Sequence, residues 1–359
     1  MHLYQLTLQR SSAVTCAVAG NFSGPQEQEV VVSHGKAIEL LRADAGGKLL
    51  SVCYMECFGV VRSLAPVRLP GTNVDCLALG SDSGRLALVH YIPERDQFER
   101  IHLETYGKSG CRRTVAGQYM AVDPAGRALM LAAIEKQRVV YTFDRDANSL
   151  VSMSAPIEAP RPGAITFSMV ALDVGKGNPI FACIELEYNA PTDGDGGEAH
   201  KILSFYEVDV SSKPASVVKR NSEPLDPASN MLVPVPGGAE GPGGVLVCAE
   251  NKLAYFRATG AGDEVVTLIP RRAGMPIEQP LLITAHTVLR QSGQPASLLL
   301  QSEVGDAYAV AFSTGSSDVV TAISASYYDT LPVAISLLGT STRTFLHQVI
   351  RARPHAASH

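Results

Sequence analysis

The chain has 359 residues, 46% of them hydrophobic and 18% charged, a balance that supports a sizeable core and excludes disorder. A formal net charge of −5 supplies no global field toward nucleic acid or anionic lipid, although a local basic patch is compatible with it. No apolar run approaches the roughly 18 residues a spanning helix needs; the longest candidates, 128–134 and 331–338, have strand length.

At the start, Leu3-Tyr4-Gln5-Leu6-Thr7-Leu8 alternates, with no basic start and no long apolar stretch, and reads as a strand and not as a secretion signal. A pattern of apolar run, tight polar turn and second apolar run then recurs. Its first copy is Val30-Val31-Val32, Ser33-His34-Gly35-Lys36, Ala37-Ile38-Glu39-Leu40, and its second is Leu77-Ala78-Leu79, Gly80-Ser81-Asp82-Ser83-Gly84, Arg85-Leu86-Ala87-Leu88. Later copies centre on Glu135-Lys136-Gln137, on 188–200, on Glu250-Asn251-Lys252 and on Glu303-Val304-Gly305-Asp306. A lone hairpin cannot bury its own apolar face, so spaced copies are expected to cover one another.

Further strand signals fill the gaps at 60–64, 67–69, 167–172, 202–208, 265–269 and 281–289. Turn chemistry stands at Asp44-Ala45-Gly46-Gly47, Asp123-Pro124-Ala125-Gly126 and Pro236-Gly237-Gly238. No stretch reads as an amphipathic helix of three turns. With Val30, Leu77, Met130, Phe181, Leu246 and Leu298 as anchors, the steps are 47, 53, 51, 65 and 52 residues. Four antiparallel strands with their turns need about 40 to 50 residues, the size of a propeller blade. The longest step contains Asp193-Gly194-Asp195-Gly196-Gly197-Glu198, a surface-loop composition. The expected fold is all-β, a β-propeller of six visible blades. A seventh anchor is due near residue 350, where the tail lacks a turn and a second apolar run. The expected division is therefore 1–338 as propeller and 339–359 as an atypical tail. A ring lacking its last hairpins would leave a sheet edge unpaired, so the chain reads as a fragment or as one with an abnormal C-terminus, and another segment would then have to close the ring.

Motifs that could carry chemistry weigh toward structure. Gly80-Ser81-Asp82-Ser83-Gly84 superficially resembles a hydrolase elbow, but Asp stands at its centre and no helix follows; it reads as a hairpin turn. Cys53 and Cys57 lie four apart on a strand, and no second pair completes a zinc site. The seven cysteines are odd in number, scattered and set in apolar runs, as small buried hydrophobes in a reducing compartment are. The acidic insert lacks the later ligands of a calcium loop. His34, His90, His102 and His286 are isolated and read as turn or surface residues.

Two basic clusters remain. Lys108, Arg112 and Arg113 flank Gly107 and Gly110, and Arg271 and Arg272 follow Pro270. Glycines beside cations suit an exposed loop that holds an acidic surface or a phosphate. Solvated loop charges, a protein contact and RNA contact all stay open, although the interleaved aromatics that favour single strands are missing.

Several stretches carry a family resemblance: 3–10, Gly20-Asn21-Phe22-Ser23-Gly24, 58–64, 80–85, Glu104-Thr105-Tyr106-Gly107-Lys108-Ser109-Gly110-Cys111-Arg112-Arg113, 117–124, 133–137, 235–238 and 269–272. Over about residues 1–335 the chain resembles the N-terminal part of a family of very large multi-propeller scaffolds. That family holds the third subunit of the splicing factor 3b complex, the large damaged-DNA-binding subunit and the large cleavage and polyadenylation specificity factor subunit. The splicing member fits better, chiefly through 107–113 and the Asn-Phe-Ser-Gly run. The resemblance implies the first of three seven-bladed propellers, here about six blades with a partial seventh. It implies a nuclear, non-catalytic interaction scaffold in branch-site recognition and pre-mRNA splicing. It further implies no cofactor, other splicing factor 3b subunits as partners, RNA only indirectly or weakly, no membrane and no small-molecule substrate. The expected partner-contact residues are Lys108, Arg112, Arg113, Arg271 and Arg272; the damaged-DNA ubiquitin ligase and the 3'-end processing machinery are the alternative settings.

Overall fold

A computed structural model describes residues 9–57, 59–106, 118–134, 137–145, 151–159, 164–187, 200–212, 215–257, 264–276, 278–290, 295–315 and 319–330. The strand expected at 3–8, the insert at 188–199, the run at 331–338 and the tail at 339–359 lie outside these residues, as does the division expected at 338.

The described chain is built from antiparallel sheets in sequence order. The first holds β1 (Cys16–Gly20), β2 (Glu29–Ser33), β3 (Ala37–Ala43) and β4 (Leu49–Glu56). The second holds β5 (Val61–Val67), β6 (Cys76–Ser81), β7 (Arg85–Ile92) and β8 (Gln97–Thr105). The third holds β9 (Tyr119–Val122), β10 (Ala128–Ile134) and β11 (Gln137–Arg145), with β12 (Val151–Met153) and β13 (Ile157–Glu158) both paired to β11. The fourth is β14 (Ala164–Leu172), β15 (Ile180–Glu187), β16 (Lys201–Asp209) and β17 (Ser216–Pro224). The fifth is β18 (Met231–Pro234), β19 (Val245–Ala249), β20 (Lys252–Phe256) and β21 (Val265–Leu268). The sixth is β22 (Ile283–Leu289), β23 (Ser297–Ser302), β24 (Asp306–Thr314) and β25 (Val320–Thr330). The only helical element among the described residues is a single 3₁₀ turn, Pro93–Arg95.

All six anchors fall on the second strand of a sheet. That strand is covered on both faces, which is why its residues form unbroken apolar runs; every residue of β2, β6 and β19 is buried. Fourth strands show the opposite character. On β21, Val266 and Leu268 point outward, Leu268 with 73% of its surface exposed.

Each core cluster is shared between consecutive sheets. Val31, Ile38 and Leu40 meet Leu77, Val89 and Tyr91 between the first two sheets. Leu86 and Leu88 meet Leu129 and Tyr141 at the next junction, and Met130 and Val140 meet Phe181 and Tyr206 at the third. Ile184 and Phe205 meet Leu232 and Val247, and Leu246 and Tyr255 meet Leu298 and Tyr308. At about 25 cal/mol per Å² of apolar area, this burial between neighbours is what holds the sheets as blades. The inner strands β1, β5, β9, β14, β18 and β22 contact one another in that order and surround a central channel. Among the described residues no sheet stands between the sixth and the first.

The turns expected at 80–84 and 303–306 hold in geometry, whereas the copies centred on 135–137 and 188–200 fall largely outside the described residues. Gly84 N–H donates to Ser81 O at 3.1 Å and Gly305 N–H to Ser302 O at 3.0 Å, closing matching four-residue turns. Both glycines have positive φ, 76° and 88°, a conformation open to glycine at little cost. Asn251 fills the corresponding role in the fifth sheet at φ 62°.

Candidate interaction surfaces

The two ends of the ring are built differently. One end carries the loops between first and second strands, and these are fastened each to the next. Asp75 accepts from Asn21 N–H at 2.8 Å and is held by Arg68, whose Nε lies 2.8 Å away. Gly126 of the third sheet abuts Arg68; a Cβ there would stand 1.7 Å from the Arg68 carbonyl oxygen. Asp123 and Arg127 pair at 2.7 Å, and Arg127 Nη1 donates to Gly177 O of the fourth sheet at 2.6 Å. Asp173 then accepts from Gly237 N–H at 3.1 Å, the Glu240 carboxylate accepts from Arg290 Nε at 3.0 Å, and the Glu240 backbone carbonyl accepts from Ala296 N–H at 2.9 Å. These links carry the backbone order of the six sheets around the channel mouth.

The channel has a volume of about 740 Å³ and walls of small and apolar residues such as Ala17, Ala65, Ala121, Ala171 and Ala285. Its ionisable wall residues among those described are Asp173, Glu240, Arg290 and His286. His286 corrects the surface reading given above: it sits on the innermost strand β22, and burial lowers its pKa to about 4. The ring is therefore neutral at pH 7. His90 and His102 also lie on strands, β7 and β8, while His34 occupies the β2–β3 turn and meets Glu39 at 2.9 Å.

At the other end stand the hairpin turns and the connections between sheets. Asp82 accepts from Val60 N–H at 2.8 Å, ahead of β5. Tyr106 Oη donates to Ser81 O at 2.8 Å and its N–H to Gly84 O at 2.9 Å. The 80–84 segment is thus a structural turn that fixes where the chain leaves β8. Lys108, Arg112 and Arg113 follow Tyr106 in sequence and lie outside the described residues, as does Cys111.

Arg271 and Arg272 are described, and both reach into their own fold. Arg271 donates to Pro276 O at 2.9 Å, Gln279 O at 2.7 Å and Asn251 Oδ1 at 2.8 Å. Asn251 in turn receives Leu281 N–H at 3.0 Å, so this arginine braces the step from the fifth sheet to the sixth. Arg272 lies 3.6 Å from buried Asp306 and 3.4 Å from Thr330 Oγ1, with 46% of its side chain exposed. Beside it the touching outer strands β21 and β25 expose Leu268, Tyr327 and Tyr328.

Charge also enters the core between sheets. Arg138 on β11 and Glu185 on β15 form a buried pair at 2.8 Å across the third junction. Tyr206 Oη and Ser204 Oγ each donate to Glu185 at 2.8 Å. A charge directly against each apolar run, Arg138 ahead of Val139-Val140 and Glu185 after Cys183-Ile184, was the available signal. Cys53 and Cys57 both pack into the first junction, and burial pushes the Cys57 thiol to about 11.

The family signature described as the RSE1/DDB1/CPSF1 first beta-propeller matches residues 13–347. Spliceosome-associated protein 130 A of Arabidopsis thaliana is 44% identical over 341 residues, covering 94% of this chain and 28% of that protein. Splicing factor 3B subunit 3 of Danio rerio is 43% identical over 344 residues, 94% of this chain and 28% of that one. Pre-mRNA-splicing factor rse1 of Emericella nidulans is 40% identical over 352 residues, with 94% and 29% covered. The chain spans little more than a quarter of the length of these curated relatives.

Proposed function

The chain belongs to the RSE1/DDB1/CPSF1 first-propeller family, and from that premise we propose that it acts as a non-catalytic scaffold of the splicing factor 3b complex in the nucleus, in branch-site recognition and pre-mRNA splicing. The observation that carries this reading is identity of 40–44% to splicing factors across 94% of the chain. The architecture supports it: the sheets are locked to one another by shared cores and by linked loops, which leaves connecting segments and outer strands free to hold other proteins. Its partners are other subunits of that complex, with RNA reached indirectly or weakly. Lys108, Arg112 and Arg113 are proposed contacts for an acidic partner surface. Arg272, half exposed beside Leu268 and Tyr328, extends that proposal to the fifth junction, whereas Arg271 contributes by holding its loop in shape.

The test is affinity capture of the tagged chain from nuclear extract, read by mass spectrometry. Recovery of splicing factor 3b subunits supports the assignment. Recovery of ubiquitin-ligase or polyadenylation components without them would overturn it.

A further inference from the structure

A cleft of about 90 Å³ opens between the first and second sheets, away from the channel. Met55 and Cys57 form one wall, and Leu79, Ala87 and Val89 the other. A water takes about 30 Å³, so the space suits one aliphatic side chain. The Cys57 thiol, held protonated by burial, keeps its wall uncharged at neutral pH.

The rim is built from the β7–β8 ladder. Arg85 pairs with Thr105, Ala87 with Leu103, and Val89 with Arg100. Exposed Leu103 therefore sits between two exposed arginines at the mouth of the cleft. Arg85 and Val89 are four strand positions apart, about 13 Å, which sets the spacing of the two cations along the rim. Among the described residues neither guanidinium has a hydrogen-bond or ion-pair partner. Glu56 stands on the facing edge and repels further negative charge.

We propose that this cleft is a docking site for an extended segment of a protein partner, in which one aliphatic residue fills the cleft and acidic residues two positions before and two after it meet Arg85 and Arg100. Alternate residues of an extended chain point the same way and advance about 6.6 Å per pair, so acids at those positions span the distance between the cations. Cations with no partner among the described residues, at either side of an apolar hole, are the complement of that sequence. RNA fits worse: the lining has no aromatic platform for a base among the described residues, and Glu56 opposes a continuous polyanion.

The inference deepens the scaffold reading but is tested apart from complex membership, since a defined peptide is the probe. The whole chain, labelled at methionine and leucine methyls, is titrated with the synthetic peptide Gly-Ser-Glu-Thr-Leu-Thr-Glu-Ser-Gly and followed by NMR. Saturable shifts of the Met55 and Leu103 methyl signals are expected. Combined Arg85→Glu and Arg100→Glu should weaken binding about threefold or more, and a peptide with both glutamates changed to lysine should bind that variant better than the original does. Unmoved methyls overturn the proposal. So does equal binding of a peptide whose leucine is serine, or a response to an oligouridylate of about nine nucleotides and not to the peptide. Failure of this titration leaves the affinity-capture result standing, and the reverse holds too.

Discussion

Arg138 of the third sheet and Glu185 of the fourth meet at 2.8 Å, with side chains 2% and 0% exposed. Two charges withdrawn from water are tolerable only together. Arg138 also reaches Tyr206 Oη at 3.0 Å, and Glu185 accepts from Tyr206 and Ser204, so the carboxylate is saturated. Either Arg138→Ala or Glu185→Ala strands the other charge and is expected to cost about 3–5 kcal/mol. Changing both together, Arg138→Met with Glu185→Leu, should cost less than either alone, although the Tyr206 and Ser204 hydroxyls lose their acceptor. Urea unfolding of the four proteins checks this ordering; additive single costs would refute the coupling.

Glycine at the tight junction of the second and third sheets has no substitute. At Gly126, φ is 70° and an added Cβ would meet the Arg68 carbonyl at 1.7 Å. At Gly35, φ is 78° and nothing lies within 4 Å. Gly35→Ala should cost about 1–2 kcal/mol, the left-handed penalty alone. Gly126→Ala must also displace backbone and should lower the melting temperature well beyond that. Equal melting temperatures for the two variants would count against the contact.

His286 makes stability depend on pH. Its folded pKa is lowered to about 4, while the unfolded ring titrates near its ordinary value of 6.5. Below 6.5 the unfolded state takes up a proton that the native state refuses. The stabilisation is therefore complete above about 6.5 and is lost as pH falls toward 4. The ring faces a wide channel, which screens the effect, so about 1–3 kcal/mol is expected across that window. His286→Gln should flatten this part of the stability curve, measured by denaturant unfolding at pH 7 and pH 4.5.

Arg271 serves three acceptors, and Asn251 sits at their centre. Arg271→Ala leaves Pro276 O and Gln279 O without this donor and frees the Asn251 side chain that holds Leu281 N–H. The expected cost is about 1–2 kcal/mol, because the site is partly wet. The sharper readout is local: amide exchange at Leu281 should speed up, whereas that at Leu246 and Leu253 within the fifth sheet should not. Uniform protection in both places would remove the bracing role.

Much of the fold was readable because the second strand of each sheet must be apolar throughout. Residues such as Val30, Leu77 and Leu246 are enclosed by neighbours on both faces, and that enclosure writes an unbroken run into the sequence. Fourth strands such as β21 alternate loosely and merge with their flanking turns. The candidate surfaces were less readable. Asp75, Asp123 and Arg127 look like common turn residues, and only folding sets Asp75 against Asn21, 54 positions away. The β7–β8 rim needs the register of two strands before Arg85, Leu103 and Arg100 become one feature.

The loop-to-loop fastenings, Asn21 to Asp75, Arg127 to Gly177, Asp173 to Gly237 and Glu240 to Arg290, join sheets adjacent in the chain. Mechanical load applied at one sheet must therefore be handed along the series one joint at a time. A molecule jointed in this way yields at its weakest coupling first and keeps the shape of the segments on either side.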